Sequence, residues 1–358
     1  MSINLLDLTT TEIVAFLQTL GDSPSTASRV FKAIYRDCVS NIDDASELSS
    51  VLRNKLSQEA AIEIPHPLNE RISADGQTHK ILFKLIDDHT IETTLMLSYT
   101  RSGRKHCTVC VSSQAGCTIG CPFCATGQQG FVRNLATGEI IGQVLFFLHR
   151  LHANPEMGNL TNVVFMGMGE PLSNYDNVCK AVFILNTSQG LGLSEHKIML
   201  SSAGLTPQIR RLTQDKLPLE LAVSLHATND ELRSRLVPIN RKYPLVELLA
   251  ACRDYTNATG RLVYVEYVLF SGINDSIVDA DALLKLLKGL PCAVNLIVGN
   301  PTCSLEYLPT SRKIALAFQN RLIAGGMRTM LRVSRGADIE AGCGQLRSRY
   351  ISKLTKES

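Results

Sequence analysis

Three cysteines in the segment GCTIGCPFCATG, Cys117, Cys121 and Cys124, are spaced Cys-x3-Cys-x2-Cys. Thiolates at this spacing can cap three irons of a [4Fe–4S] cubane and leave the fourth iron without a protein ligand. Such an iron can chelate the amino and carboxylate groups of S-adenosylmethionine and pass one electron to its sulfonium. A carbon–sulfur bond then breaks and a deoxyadenosyl radical forms. A zinc knot or a four-cysteine ferredoxin-type cluster would use the same thiols. Zinc wants a fourth ligand at short spacing. The region offers Cys107 and Cys110 only on the N-terminal side, itself a Cys-x2-Cys pair, so on spacing alone that alternative stays open.

Further polar residues end apolar runs downstream. In Met166-Gly167-Met168-Gly169-Glu170-Pro171 the glycines let backbone approach a ligand, and the Glu170 carboxylate suits the ammonium of a bound methionine moiety. Ser201, the Ser224-Leu225-His226 run and Asn300 finish three more runs. Each alone could be a helix cap. Gathered on one rim they read as a pocket for a polar, ribose-bearing ligand.

The elements that must position these groups follow from the periodicity. From Thr108 onward, seven β-rich runs (TVCVS, NVVFMG, KIMLSS, LELAVSL, RLVYVEYVLF, AVNLIV and RTMLRVS) alternate with amphipathic segments. Strand then helix, repeated, predicts parallel pairing: an α/β chain with a partial (β/α)6, TIM-like barrel, its chemistry at the strand C-terminal ends. Ile13, Phe16, Leu17 and Leu20, then Val30, Phe31, Ile34 and Tyr35, recur at helical spacing and predict a small helical domain. Residues 80–98 alternate around Asp87-Asp88 as a two-stranded hairpin does. The expected division is a helical domain over 1–75, a hairpin and basic linker over 76–105, a barrel over 106–340 and a C-terminal loop and tail over 341–358.

The chain has 358 residues, 45% of them hydrophobic, enough for one large barrel and an appendage. No apolar run is long enough to span a membrane, and the start lacks the marks of a signal peptide, so the expected location is cytoplasmic. Eleven cysteines are then expected to bind metal, react, or pack; Cys38, Cys179, Cys252, Cys292 and Cys303 read as small hydrophobes. Net charge is only +3, but from Arg321 onward eight Arg or Lys stand against three acids.

The residues together resemble one family, the radical-SAM adenosine RNA methyltransferases of the RlmN/Cfr type. The resemblance runs from Leu5-Leu6-Asp7-Leu8 through Phe31-Lys32-Ala33-Ile34-Tyr35, Cys110-Val111-Ser112-Ser113-Gln114 and Phe165–Leu172 to Val237-Pro238-Ile239-Asn240 and Cys343-Gly344-Gln345-Leu346. It implies that Cys117, Cys121 and Cys124 hold a [4Fe–4S] cluster, and that Gly169, Glu170, Ser201, Ser224, Leu225, His226 and Asn300 contact S-adenosylmethionine. Cys343 would take a methyl group, Cys110 would release the product, and Glu92 would be a proton acceptor. Cys107 competes for the releasing role, and Lys105 and His106 could lower either thiol's pKa. The implied substrate is adenosine of 23S rRNA, with tRNA as a further candidate. The N-terminal segment is more similar to the branch that methylates carbon 2 than to the one that methylates carbon 8. The implied partners are RNA and an electron donor of the flavodoxin or ferredoxin kind, with no membrane. The rival readings are another radical-SAM enzyme without use for Cys110 and Cys343, and a metal-stabilised RNA-binding protein.

Overall fold

A computed structural model describes residues 2–99, 103, 105–299, 306–332, 337–339 and 342–350. Its centre is one ten-stranded sheet whose spatial order follows the chain. The strands are β1 (His66–Ile72), β2 (Thr78–Lys84), β3 (Thr90–Tyr99), β4 (Lys105–Cys110), β5 (Leu160–Phe165), β6 (Ile198–Ser202), β7 (Glu220–Ser224), β8 (Val263–Leu269), β9 (Cys292–Val298) and β10 (Thr329–Arg332). From β1 to β4 the pairing is antiparallel, and from β4 to β10 it is parallel. All seven expected barrel strands are present, and every parallel step is made by a helical crossover. The crossovers run through α5 (Thr137–Ala153), α6 (Tyr175–Asn186), α7 (Thr206–Gln214), α8 with α9 (Asp230–Leu236 and Leu245–Thr259), α10 (Ile277–Leu286) and α11 (Arg312–Ala324). Six such units make the partial (β/α)6 barrel.

Successive side chains of a strand point to opposite faces, and here the two faces differ in chemistry. One carries Ile81, Phe83, Ile91, Leu95, Val109, Val163, Phe165, Leu200, Leu221, Val265, Tyr267 and Leu296, all 0–1% exposed beneath the helices. The other carries Glu92, Thr94, Met96, Thr108, Cys110, Asn162, Met199, Ser201, Ser224, Glu266 and Arg332 and lines open cavities.

The antiparallel part differs from the expected hairpin. A third strand, β1, adds to β2 within the span assigned to the helical domain, and the whole meander continues the barrel sheet through the β3–β4 pairing. Strand β1 escapes the alternation test because it is an edge: six of its seven residues are exposed, and the register shifts between Pro67 and Asn69. The helices α1 (Thr10–Thr19), α2 (Ala27–Tyr35) and α3 (Ser50–Glu59) form where expected. They share one continuous core with the barrel and dock on its outer helices. The Gly138 N–H at the start of α5 donates to Asp7 Oδ1 at 2.6 Å, and Arg36 Nε donates to the Gly190 carbonyl at 3.1 Å. Cys179 and Cys252 are buried, Cys38 and Cys292 half-buried, and Cys303 lies outside the described residues.

One polar side chain ties helix to sheet. Gln143, fully buried on α5, accepts from Ser112 N at 2.8 Å and Thr93 Oγ1 at 2.7 Å, and donates to Ser112 O at 3.0 Å. Because Ser112 begins the loop after β4, this contact fixes where that loop leaves the barrel. Gln143→Leu leaves interior donors and an acceptor unpaired, an expected loss of about 3 kcal/mol; a lowered urea midpoint at unchanged slope is the measurement that checks it.

Candidate active site

The loop after β4 carries the three spaced cysteines. Gly116, at φ +84°, lets it turn back: a Cβ there would stand 2.0 Å from the Gly130 carbonyl. Cys117 N then donates to Gly130 O at 3.0 Å, and Cys124 N to Cys121 O at 3.1 Å, leading into the one-turn helix α4 (Ala125–Gln128). The three thiols line a single cavity of about 440 Å³. Burial, followed by the charge of neighbouring thiolates, pushes Cys117 up to about 12 and Cys121 well above the ordinary thiol range. The irons of a cluster would offset that penalty at Cys117 and Cys121 by binding them as thiolates. Cys107 and Cys110, three residues apart on β4, face opposite sides of the sheet. Cys107 Sγ points under the helices to the Met157 carbonyl at 3.2 Å, while Cys110 opens into a cavity. The Cys-x2-Cys pair therefore cannot complete a zinc knot with the triplet. Burial also raises both of these thiols, Cys110 to about 11, and Lys105 offsets it only in part at Cys107; the cations acting on Cys110 are Lys80 and Arg332.

Gly169, Glu170, Ser201, Ser224 and His226 line the same 440 Å³ cavity from the ends of β5, β6 and β7. Gly169, at φ +101°, lies against Gln114, where a Cβ would come within 2.5 Å. Glu170 accepts backbone N–H bonds from Leu172 at 3.0 Å and Ala203 at 2.7 Å. Burial outweighs them and lifts its carboxyl to about 7. His226, held at φ +59°, accepts from Val268 N on Nδ1 at 3.2 Å; burial and the nearby Arg233 depress it to about 3, so the ring is neutral. The Leu225 side chain is buried in the core rather than on the cavity, and Asn300 lies outside the described residues.

Spacing did not point to Arg233. Fully buried on α8, it donates to the carbonyls of Ala203 (2.7 Å), Ser224 (2.9 Å) and Leu225 (3.2 Å) and to Asn240 Oδ1 (2.8 Å). It thus holds the ends of β6 and β7 at a fixed spacing. The only sequence signal for it was Asn240 in Val-Pro-Ile-Asn, which receives one of its donors.

Cys343 arrives from the far end of the chain. Its Sγ stands 3.3 Å from Thr126 Oγ1, and Gly344, at φ +79°, packs where a Cβ would meet Thr126 Oγ1 at 2.4 Å. Gln129 Nε2 donates to Gly344 O at 2.9 Å. On the other side the buried Glu92 carboxylate accepts from Gly344 N at 2.7 Å and Arg347 N at 2.6 Å. Cys343 consequently borders two cavities: the one with the cysteine triplet, and a second of about 850 Å³ lined by Glu92, Cys110, Asn162, four methionines and Arg332.

The unfolded chain ionises Glu170 near 4.5, whereas the folded chain keeps its proton until about 7. Its raised pKa therefore favours the folded state most below pH 4.5, and that contribution is lost as pH rises through 7, about 3 kcal/mol in total. Glu170→Gln should flatten the change in urea midpoint between pH 5 and 7.5.

Comparison with known proteins agrees with this geometry. Residues 3–62 match the model for the ribosomal RNA large subunit methyltransferase N-terminal domain, and residues 111–284 match the radical SAM superfamily. The probable dual-specificity RNA methyltransferase RlmN of Dictyoglomus turgidum is 43% identical over 348 residues, 97% of both chains. The dual-specificity RNA methyltransferase RlmN of Syntrophus aciditrophicus is 41% identical over 351 residues, 98% of both chains. The crystal structure of a radical SAM methyltransferase from Sphaerobacter thermophilus superposes with a TM-score of 0.89 at 42% identity, covering 96% of this chain and 98% of that one. A loop that gathers three thiols, a second cavity shared through a fourth, and likeness over nearly the whole length lead to one conclusion: the chain belongs to the RlmN family of radical-SAM RNA methyltransferases, enzymes that work with a [4Fe–4S] cluster and S-adenosylmethionine.

Proposed function

We propose that this enzyme methylates carbon 2 of adenosine in 23S rRNA, and in tRNA, through a methyl group carried on Cys343. The relatives' description as dual-specificity RNA methyltransferases supports the pair of substrates. One observation carries the mechanism: Cys343 borders both the cavity of Cys117, Cys121 and Cys124 and the cavity of Cys110.

Carbons 2 and 8 of adenine are electrophilic and have no lone pair, so neither can attack a sulfonium methyl. A thiolate can. Cys117, Cys121 and Cys124 would hold the cluster, and Gly169, Glu170, Ser201, Ser224 and His226, which line the same cavity, would hold S-adenosylmethionine. Bound there, the cluster and its ligand would supply one-electron cleavage of the sulfonium and so a carbon radical able to take hydrogen from a methyl group. Cys343, at the partition, accepts a methyl on its sulfur, gives up one of the methyl hydrogens, and presents the resulting CH2 radical to the ring in the larger cavity.

Glu92 borders that cavity. Its Oε1 has one hydrogen-bond donor among the described residues, Arg347 N, so it can receive the proton leaving the ring. Once the odd electron left on the ring has passed to a one-electron acceptor, the role an iron–sulfur cluster would fill, Cys110 attacks the Cys343 sulfur and a disulfide forms. The electron pair of the broken carbon–sulfur bond goes to the CH2 carbon, which takes up a proton to complete the methyl group. Later reduction restores both thiols. That need for reduction suits a cytoplasmic enzyme fed by a flavodoxin or ferredoxin kind of donor. No helix among the described residues is long and apolar enough to cross a membrane.

The larger cavity suits a nucleobase. Its 850 Å³ lies within the range of about 300–1,000 Å³ common for ligand sites. Met96, Met166, Met199 and Met330 offer polarisable surface to a ring face, while His106, Lys197 and Arg332 supply cationic or polar groups toward phosphate.

Cys343→Ala should abolish RNA methylation while reductive cleavage of S-adenosylmethionine continues. Cys110→Ala should accumulate protein covalently joined to RNA, visible as a slow-migrating band that ribonuclease removes. Methylation surviving in Cys343→Ala with its cluster intact would sink the mechanism. Mass spectrometry of the nucleoside released from wild-type product separates carbon 2 from carbon 8.

A further inference from the structure

Cys343 lies between two glycines, and glycine is the residue with the most backbone freedom. The flanking residues have no side chains to pack, so apart from the thiol's own contact with Thr126 Oγ1, bonds to the main chain place it. Two of those bonds come from a single ion pair. Lys80 Nζ lies 2.7 Å from Glu92 Oε2, with the two side chains 1% and 3% exposed. Lys80 Nζ also donates to the Gly342 carbonyl at 2.6 Å, and Glu92 Oε2 accepts from Gly344 N at 2.7 Å. The peptide before Cys343 is thus held by the cation and the peptide after it by the anion.

The two partners come from adjacent strands. Leu82 pairs with Glu92 and Lys80 with Thr94, so Lys80 and Glu92 are diagonal neighbours on the cavity face. A buried ion pair is a costly way to stabilise a fold, since removing two charges from water often outweighs their attraction. Here the pair has polar peptide groups to satisfy, which an apolar pair of equal volume would leave bare.

We propose that the Lys80–Glu92 ion pair is a positioning device for Cys343, gripping the chain on both sides of the thiol and so fixing it at the partition between the two cavities. Lys80 is the positioning residue of the pair, acting on the thiol through the Gly342 carbonyl and through Glu92. The inference rests on the methyl-cysteine reading above, because a thiol that served only one cavity would not need its backbone clamped from both sides.

The test uses the full chain with its cluster reconstituted anaerobically, as wild type, Lys80→Met and Lys80→Arg. Three quantities are read: cluster absorbance with reductive cleavage of S-adenosylmethionine, methylation of the Cys343 peptide by mass spectrometry, and the rate at which iodoacetamide alkylates Cys343. Lys80→Met should keep its cluster and cleave S-adenosylmethionine within about twofold of wild type. Its Cys343 methylation should slow, and its alkylation quicken, by about tenfold or more, since breaking a buried pair costs several kcal/mol. Lys80→Arg, which keeps the charge and its donors, should recover most of both. Wild-type rates of methylation and alkylation in Lys80→Met would overturn the proposal. So would loss of the cluster together with methylation, which would make Lys80 a structural residue only. If wild-type Cys343 never gains a methyl group, the methyl-cysteine reading fails instead, and the alkylation rates still decide whether the clamp exists.

Discussion

The alternation of side chains across one continuous sheet is the constraint on which everything else in this molecule depends. Ten strands in chain order present one face to the helices and the other to ligands. Because the period is two, no strand can shift register by a single residue without driving a thiol or carboxylate under the helices and a large apolar side chain into the cavities. The core and the catalytic surface are therefore specified together. Cys107 and Cys110 illustrate it within one strand: three positions apart, they occupy different worlds, one sealed against Met157 and one open to the larger cavity.

Placing polar chemistry inside a barrel has a cost, and Arg233, Gln143 and Ser112 meet it largely through bonds to main chain. Arg233 is surrounded by three carbonyls and an amide; burial brings its pKa down to about 10, and it serves as a brace for the ends of β6 and β7. Gln143 imitates a strand partner for Ser112. Ser112 in turn donates to the Glu92 carbonyl at 2.6 Å and accepts from Met168 N at 2.9 Å, so the cluster loop, the strand of the buried carboxylate and the glycine-rich turn share one hydroxyl. Such networks favour a single arrangement over neighbouring ones, which suits a thiol that borders two cavities.

The legible parts of the fold were those whose signal is local. The seven parallel strands each carry β-rich residues, most of them with a buried apolar face under the helices, and they read as runs broken by helical segments. The cysteine triplet and Met-Gly-Met-Gly-Glu were legible because a loop of fixed length keeps its side chains together wherever it is placed. Strand β1 was not, since an edge strand of charged and exposed residues resembles a linker. Nor were Arg233, Gln143 and Lys80, whose types predict a solvated surface; their burial comes from neighbours on other elements.

The sequence by itself determined the barrel's repeat and the three-thiol loop after its first strand, and through resemblance it raised the expectation that distant cysteines share one reaction. Only the tertiary structure decided that Cys343 borders both cavities, that Cys107 is excluded from them, and that Lys80 and Glu92 grip the chain around the thiol. Those contacts join residues 252 to 262 positions apart. Spacing along a chain fixes geometry over a loop or a turn, whereas meetings at such separations depend on the register of every strand in between.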